Sequence, residues 1–351
     1  MPDADLPPFL AACRRQPTSR TPVWFMRQAG RSLPEYRAIR GDGSILDAIK
    51  VPDLSTELTL QPVKRYGVDA AILFSDIVVP VHAIGFGVDI APGIGPVVEV
   101  PFEREADLAR LRPLEPEEDT PWVIETVRHV AAELPPEVPL IGFAGAPFTV
   151  ASYLIEGRPS RTYEKTKAMM LGEPSLFAKL LDAIATLSLA SLRSQVQAGA
   201  QAFQLFDSWA GALSVADYRT HVLPASKQIF AGMADLDVPG IHFGVATGEL
   251  LTSMAEAGAD VVGVDWRVPL DAARDRLGDG VAVQGNLDPE AAFAPWPVLE
   301  AKVREVLDAN GGRPGHVFNL GHGVLPGTDP DQLTRVVEAV HAAGPCSALG
   351  S

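Results

Sequence analysis

The chain has 351 residues, is 47% hydrophobic and carries a net charge of −15 at neutral pH. That length fits one α/β barrel with insertions, and the apolar share suffices for a sizeable core. The acidic balance argues against a nucleic-acid partner and against an anionic membrane surface, since both are bound through a basic field. No run approaches the ~18 consecutive apolar residues that span a bilayer, so no membrane insertion is expected. The start, MPDADLPPFLAACRR, is acidic and has no apolar stretch behind a basic one. No targeting segment is expected, and the chain reads as cytoplasmic. Cys13 and Cys346 show neither metal-ligand spacing nor a disulfide framework and read as reduced thiols.

Taken in chain order, eight short apolar runs bounded by Gly, Pro and Asp read as strands: VWFM (23–26), AAILF (70–74), LIGFA (140–144), AFQLF (202–206), GIHFG (240–244), VVGVD (261–265), VAVQG (281–285) and HVFNL (316–320). Their nearly continuous apolar character suits parallel strands buried on both faces. Between them, 176–197, 247–257, 298–309 and 331–343 carry helical periodicity. Pro224, Pro239, Pro269 and Gly199 punctuate the connections. The alternation predicts an α/β fold, a (β/α)8 TIM barrel, with a doubly wound open sheet as the structural alternative. Residues 76–112 are too long for a plain loop. Their glycines, Pro92 and short β-branched pieces predict a hairpin insertion after the second strand. The stretch 111–121 reads as a surface loop entering a helix, with Thr120 as its cap and Pro121 in its first turn. Residues 1–351 are expected to form a single barrel domain, with about 20 N-terminal and about 8 C-terminal residues peripheral.

Chemistry in such barrels gathers at the carboxyl ends of the strands. Those ends carry Arg27, Asp76, Asp207–Ser208, Asp265 and, after the last run, His322. In MRQAGR, Arg27 and Arg31 flank Gln28, Ala29 and Gly30. A helix puts both arginines on one face, while Gly30 makes a tight loop equally consistent. Paired guanidinium groups suit a polyanionic ligand, though solvated arginines or a salt bridge to Glu35 explain the spacing equally well. Asp76 in FSD is either a turn residue or an acceptor for ligand N–H groups. Tyr153 falls on the helix after GFAGAPFT, where packing and ligand contact both fit. Ser208 lacks G-x-S-x-G surroundings, which leaves ligand hydrogen bonding or loop capping. His322 sits between Gly321 and Gly323, where an imidazole can meet a carboxylate or water. Asp265 and Arg267 are expected to pair, and Asn286 and Asp288 to serve a turn and a helix start. With no G-x-G-x-x-G, Walker A, H-E-x-x-H or C-x-x-C string, no cofactor and no metal are expected.

The strings RQAGR, FSD, GFAGAPFT with its later tyrosine, LFDSWAG, VVGVDWR, QGNLDP and NLGHG run from about residue 20 to 330 in the order of the uroporphyrinogen decarboxylases. The chain resembles that family closely. The resemblance implies a (β/α)8 fold, a homodimer and cofactor-free removal of four acetate carboxyl groups from uroporphyrinogen III, giving coproporphyrinogen III. It implies that Arg27 and Arg31 bind substrate carboxylates, with the backbone of Gln28, Ala29 and Gly30 close by. Asp76 takes the role of central acceptor for the pyrrole N–H groups, and Tyr153, Ser208 and His322 make the remaining polar contacts. Asp76, Arg31 and Tyr153 are the implied catalytic set. Ser32 stands where many relatives have an aromatic residue, and Ile45 or Leu46 stands in for a phenylalanine of the pocket lining. Two rivals differ in class. A non-catalytic tetrapyrrole-binding protein needs the arginines but no placed Asp76. A corrinoid-linked methyltransferase on the same barrel needs a zinc site with His and Cys ligands, which the two cysteines do not supply.

Overall fold

A computed structural model describes residues 6–41, 43–91 and 93–346. Seven parallel strands form one sheet and lie side by side in chain order. They are β1 (Ala71–Ile72), β4 (Leu140–Gly145), β5 (Ala202–Asp207), β6 (Gly240–Gly244), β7 (Val261–Gly263), β8 (Ala282–Gln284) and β9 (His316–Val317). Seven of the eight expected runs are therefore strands. The run 23–26 is the exception. It contributes one parallel bridge, Val23 to Phe318, and closes the barrel without forming a ladder. Trp24 donates its N–H to Phe318, Phe318 to Pro22 and Asp69 to Val23, so the run still spans the gap between β9 and β1. The ladder fails because side chains take the N–H groups it would use. Val23 N–H goes to the Asp69 carboxylate, Phe25 N–H to Gln28 Oε1 and Met26 N–H to Asn319 Oδ1.

The barrel interior is filled. Trp24 Nε1 donates to Gln284 Oε1 at 3.0 Å, and Gln284 Nε2 to Gln204 Oε1 at 2.9 Å, tying three staves through buried side chains. Ligand space therefore belongs above the strands. The insertion after β1 is the expected hairpin, β2 (Val88–Ala91) antiparallel to β3 (Gly95–Val98); Pro92 lies outside the described residues.

Helices occupy the expected gaps as Pro174–Ala198, Leu251–Glu256, Trp296–Asn310 and Pro330–Ala342. Pro174–Ala198 is long and apolar enough to cross a membrane by length and composition, yet 56% of its most apolar stretch is buried in this fold. Leu176, Phe177, Leu180, Leu181 and Ile184 pack its inner face into the core, which is how a helix outside a barrel hides its apolar stripe. Two local expectations need correction. Pro224 sits in the first turn of the helix Leu223–Met233, directly after a wide helical turn at Tyr218–Val222. The widened turn and the first-turn position accommodate a residue that cannot donate. Thr120 precedes Pro121–Glu133 as expected, but makes no side-chain cap there; its hydroxyl donates to the Pro116 carbonyl at 3.3 Å.

Of the stretches read as peripheral, residues 1–5 and 347–351 lie outside the described residues. Pro8–Cys13 forms a helix whose Phe9, Leu10, Ala11, Ala12 and Cys13 are all buried. Thr18 and Cys346 bridge one another. Both cysteines are buried and free, at the amino-terminal end of the strands.

Candidate functional site

The loop after the first run is a turn, not a helix, so Arg27 and Arg31 do not share a helical face. The left-handed residue in it is Arg27, with φ 59°, and not Gly30. That conformation is unusual for a long side chain and is held from both sides. Behind it, the fully buried Gln28 accepts from Phe25 N–H and donates from Nε2 to the Ala70 carbonyl. In front, Gly323 lies against the Arg27 stem so closely that a Cβ there would sit 2.5 Å from Arg27 Cδ. Gln28's side chain is thus a structural clamp. Among the described residues no backbone carbonyl takes the N–H groups of Ala29, Gly30 or Arg31, so the loop presents donors along with two guanidinium groups. Arg31 is exposed, and its carbonyl accepts from Arg37. Ser32 is buried in the wall.

Asp76 follows β1, partly buried, and its Oδ1 accepts from Val78 N–H at 3.0 Å. Burial raises its carboxyl above the ordinary value, opposed by the Val78 N–H, the Arg27 guanidinium and the Ile77 N–H. Tyr153, on the helix Pro147–Glu156, is pushed up by burial and by the charge of Asp76, with Arg27 pulling the other way. Its phenol is therefore a proton-bearing donor at neutral pH. His322 is pushed down to about 4, chiefly by burial and then by Arg27 and Arg267, with Asp265 opposing. It is a neutral imidazole at neutral pH, stacked 6.3 Å from the Phe243 ring. Arg27, Asp76, Tyr153 and His322 come from four separate segments, yet the Arg27 charge acts on each of the other three. The fold brings these four together.

Ser208 is partly buried at the end of β5, beside Trp209. The residues expected to be structural are so: Arg267 pairs with Asp265 at 2.7 Å, Asn286 Nδ2 donates to the Asp265 and Val268 carbonyls, and Asp288 caps Pro289–Phe293. Leu46 is buried in the core and Ile45 partly buried against it. Sequence reasoning missed Trp209, whose ring centroid lies 3.9 Å from that of Tyr153, and Tyr163, which packs on Trp209 at 5.1 Å. The only signal was the position of Trp209 two residues past a strand end. Tyr163 carried none.

A concavity of about 490 Å³ lies beside the hairpin and is lined by Lys50, His82, Asp47, Asp89 and Glu99 among others. It shares none of the residues that converge at the mouth. Among the described residues no group of three or more His, Cys, Asp or Glu side chains is arranged to hold a metal ion.

Comparison with known proteins bears on this arrangement. A family model described as uroporphyrinogen decarboxylase (URO-D) matches residues 5–343. A uroporphyrinogen decarboxylase of Salinispora tropica is 63% identical over 334 residues, covering 95% of this chain and 90% of the relative. One from Streptomyces griseus is 62% identical over 333 residues, covering 95% and 91%. Among solved structures, a methyltransferase from Methanosarcina mazei superposes with a TM-score of 0.78 at 20% identity, covering 95% of this chain and 97% of its own. A B12-independent methionine synthase from Shewanella gives 0.54 at 15% identity, covering 93% and 96%. At such identities the structural likeness speaks for the barrel alone.

Proposed function

Because the chain belongs to the uroporphyrinogen decarboxylase family, we propose that its mouth removes the four acetate carboxyl groups of uroporphyrinogen III as carbon dioxide, giving coproporphyrinogen III. The observation that carries the reading at the level of chemistry is that the last loop, at Gly323, packs on the Arg27 stem, with the Arg27 charge acting on Asp76, Tyr153 and His322. A cation, a carboxylate, a protonated phenol and a neutral imidazole suit a ligand with carboxylates on its rim and N–H groups at its centre.

Each decarboxylation needs a place for the electron pair of the breaking bond. Protonation of a pyrrole carbon next to nitrogen makes the ring a cationic sink. The bond to the carboxylate breaks, its pair forms an exocyclic double bond that neutralises the ring, and carbon dioxide leaves. Protonation of the exocyclic carbon and loss of the first proton give the methyl group, so one proton is consumed per carbon dioxide. In this proposal Asp76 accepts the pyrrole N–H bonds and stabilises the cation, an effect of ~3–4 kcal/mol in a dry site. Burial alone disfavours its ionised form, and the pyrrole donors restore it on binding.

Arg27 and Arg31 hold carboxylates that stay on the macrocycle. A tight ion pair to the departing carboxylate stabilises the ground state and slows its loss. Tyr153 donates a hydrogen bond or proton from above Asp76, while Ser208 and His322 orient the rim. The homodimer and the cytoplasmic location belong to this proposal; light scattering on the purified protein tests the first.

The methyltransferase alternative has no support at the mouth. The two thiols, Cys13 and Cys346, are buried at the opposite end of the barrel. Anaerobic uroporphyrinogen III, incubated with purified protein and no added metal or cofactor, should yield hepta-, hexa-, penta- and tetracarboxylate products in succession. Unchanged substrate with folded protein overturns the reading.

A further inference from the structure

Asp207 ends β5 pointing away from solvent, and its side chain is fully buried. One oxygen accepts from Thr149 Oγ1 at 2.9 Å. The other faces His242 Nε2 at 3.7 Å, beyond hydrogen-bond reach, and both of these atoms lack a partner. Burying a carboxylate so incompletely satisfied costs stability, and well-packed apolar residues often take the place of such a group without loss. Its presence at the end of β5 points to a task.

The contact has a direction. A hydroxyl has one proton; Thr149 gives it to Asp207, which leaves its lone pairs outward. One of them accepts the backbone N–H of Trp209 at 3.2 Å. Thr149 stands four residues before Tyr153 on the helix Pro147–Glu156, so both side chains lie on one face of it. The Trp209 ring in turn lies on the Tyr153 ring, centroids 3.9 Å apart at 37°. A closed circuit results: the end of β5 holds Thr149, Thr149 holds the Trp209 backbone, and the Trp209 indole holds the phenol that Asp76 and Arg27 face.

We propose that Thr149 and Asp207 are positioning residues for Tyr153: the buried carboxylate fixes the Thr149 proton, and the Thr149 oxygen fixes the indole against which the phenol rests. Neither residue touches substrate. The assignment rests on the role given to Tyr153 above. It identifies the end of β5 as the reference point from which the opposite wall of the mouth is set.

Thr149→Val keeps the shape and removes only the hydroxyl, and Thr149→Ser restores it. Two readouts are needed. The first is the 19F spectrum of protein labelled with 3-fluorotyrosine, with the Tyr153 resonance assigned by its loss in Tyr153→Phe. Thr149→Val should shift or broaden that resonance, and Thr149→Ser should return it. The second is turnover: Thr149→Val should lose at least about tenfold in kcat with KM within about twofold, and Thr149→Ser should recover most of it. A Tyr153 resonance and kcat unchanged in folded Thr149→Val overturn the proposal. A kcat loss that tracks the folded fraction, with the resonance of the folded molecules unmoved, overturns it too. A resonance that moves as stated in a protein whose wild type releases no carbon dioxide supports the positioning and overturns the decarboxylase reading instead.

Discussion

Gly323→Ala is the sharpest test of how the mouth grips its ligand. A Cβ at this position would lie 2.5 Å from Arg27 Cδ, 2.8 Å from Cγ and 3.1 Å from Nε. Non-bonded carbons settle at roughly 3.5–4.0 Å, so the Arg27 stem has to retreat by about 1 Å. It can, because Arg27 is exposed and its guanidinium makes no ion pair with a side chain among the described residues. The backbone of Gly323 is not left-handed, and an alanine there gains ~0.4–1 kcal/mol by restricting the unfolded chain. Stability should therefore move by less than about 1 kcal/mol. Binding should not escape, since a displaced guanidinium loses a charge-assisted hydrogen bond to a substrate carboxylate worth ~1.5–3 kcal/mol. Steady-state kinetics should show KM raised roughly ten- to a hundredfold with a far smaller change in kcat. Gly321→Ala is the contrast. Its Cβ would meet Trp266 N at 2.4 Å and Asp265 C at 3.1 Å, backbone that cannot yield, so it should cost about 1–3 kcal/mol by thermal melting. A folded Gly323→Ala with unchanged KM refutes the idea that Arg27 is held by the last loop for grip.

Asp76→Ala should lower kcat by roughly 100- to 1,000-fold, read as carbon dioxide release, with a thermal midpoint close to wild type. Gln28→Ala strands Phe25 N–H and the Ala70 carbonyl, and should cost about 2–4 kcal/mol by denaturant titration. Acid should destabilise the fold in a defined window. His316, buried, and His322 both have their folded pKa lowered from 6.5 to about 4. The unfolded chain then binds protons first, so the stability from neutral imidazoles is whole above pH 6.5 and drains as pH falls toward 4. Urea midpoints across that range should fall with acid, and less steeply in His316→Gln; a flat profile removes the claim. Substrate should also raise the His322 pKa by neutralising Arg27, so the protons taken up on binding near pH 5 should be fewer in His322→Gln than in wild type, measurable by calorimetry in buffers of different ionisation enthalpy.

What the sequence determined by itself was the part of the protein that local patterns encode. Seven of the eight staves, the hairpin after β1, four of the outer helices and the family itself were written in apolar runs, turn residues and strings such as RQAGR and NLGHG. Arg27, Asp76 and His322 stood out because barrels place strand ends at one mouth, and Tyr153 stood out only through the family resemblance of the GFAGAPFT helix. Tertiary structure decided everything that depends on which groups meet across the chain. It turned the first run into a bridge, because Asp69, Gln28 and Asn319 compete for N–H groups that a local pattern assigns to a ladder. It put the left-handed turn on Arg27, held by Gly323 from nearly 300 residues away, although Gly30 was the local candidate. It made Gln28 a clamp and set Trp209 on Tyr153. A strand's period or a glycine's freedom is a property of neighbours in sequence; the partner of a buried hydrogen bond is a property of the closed barrel.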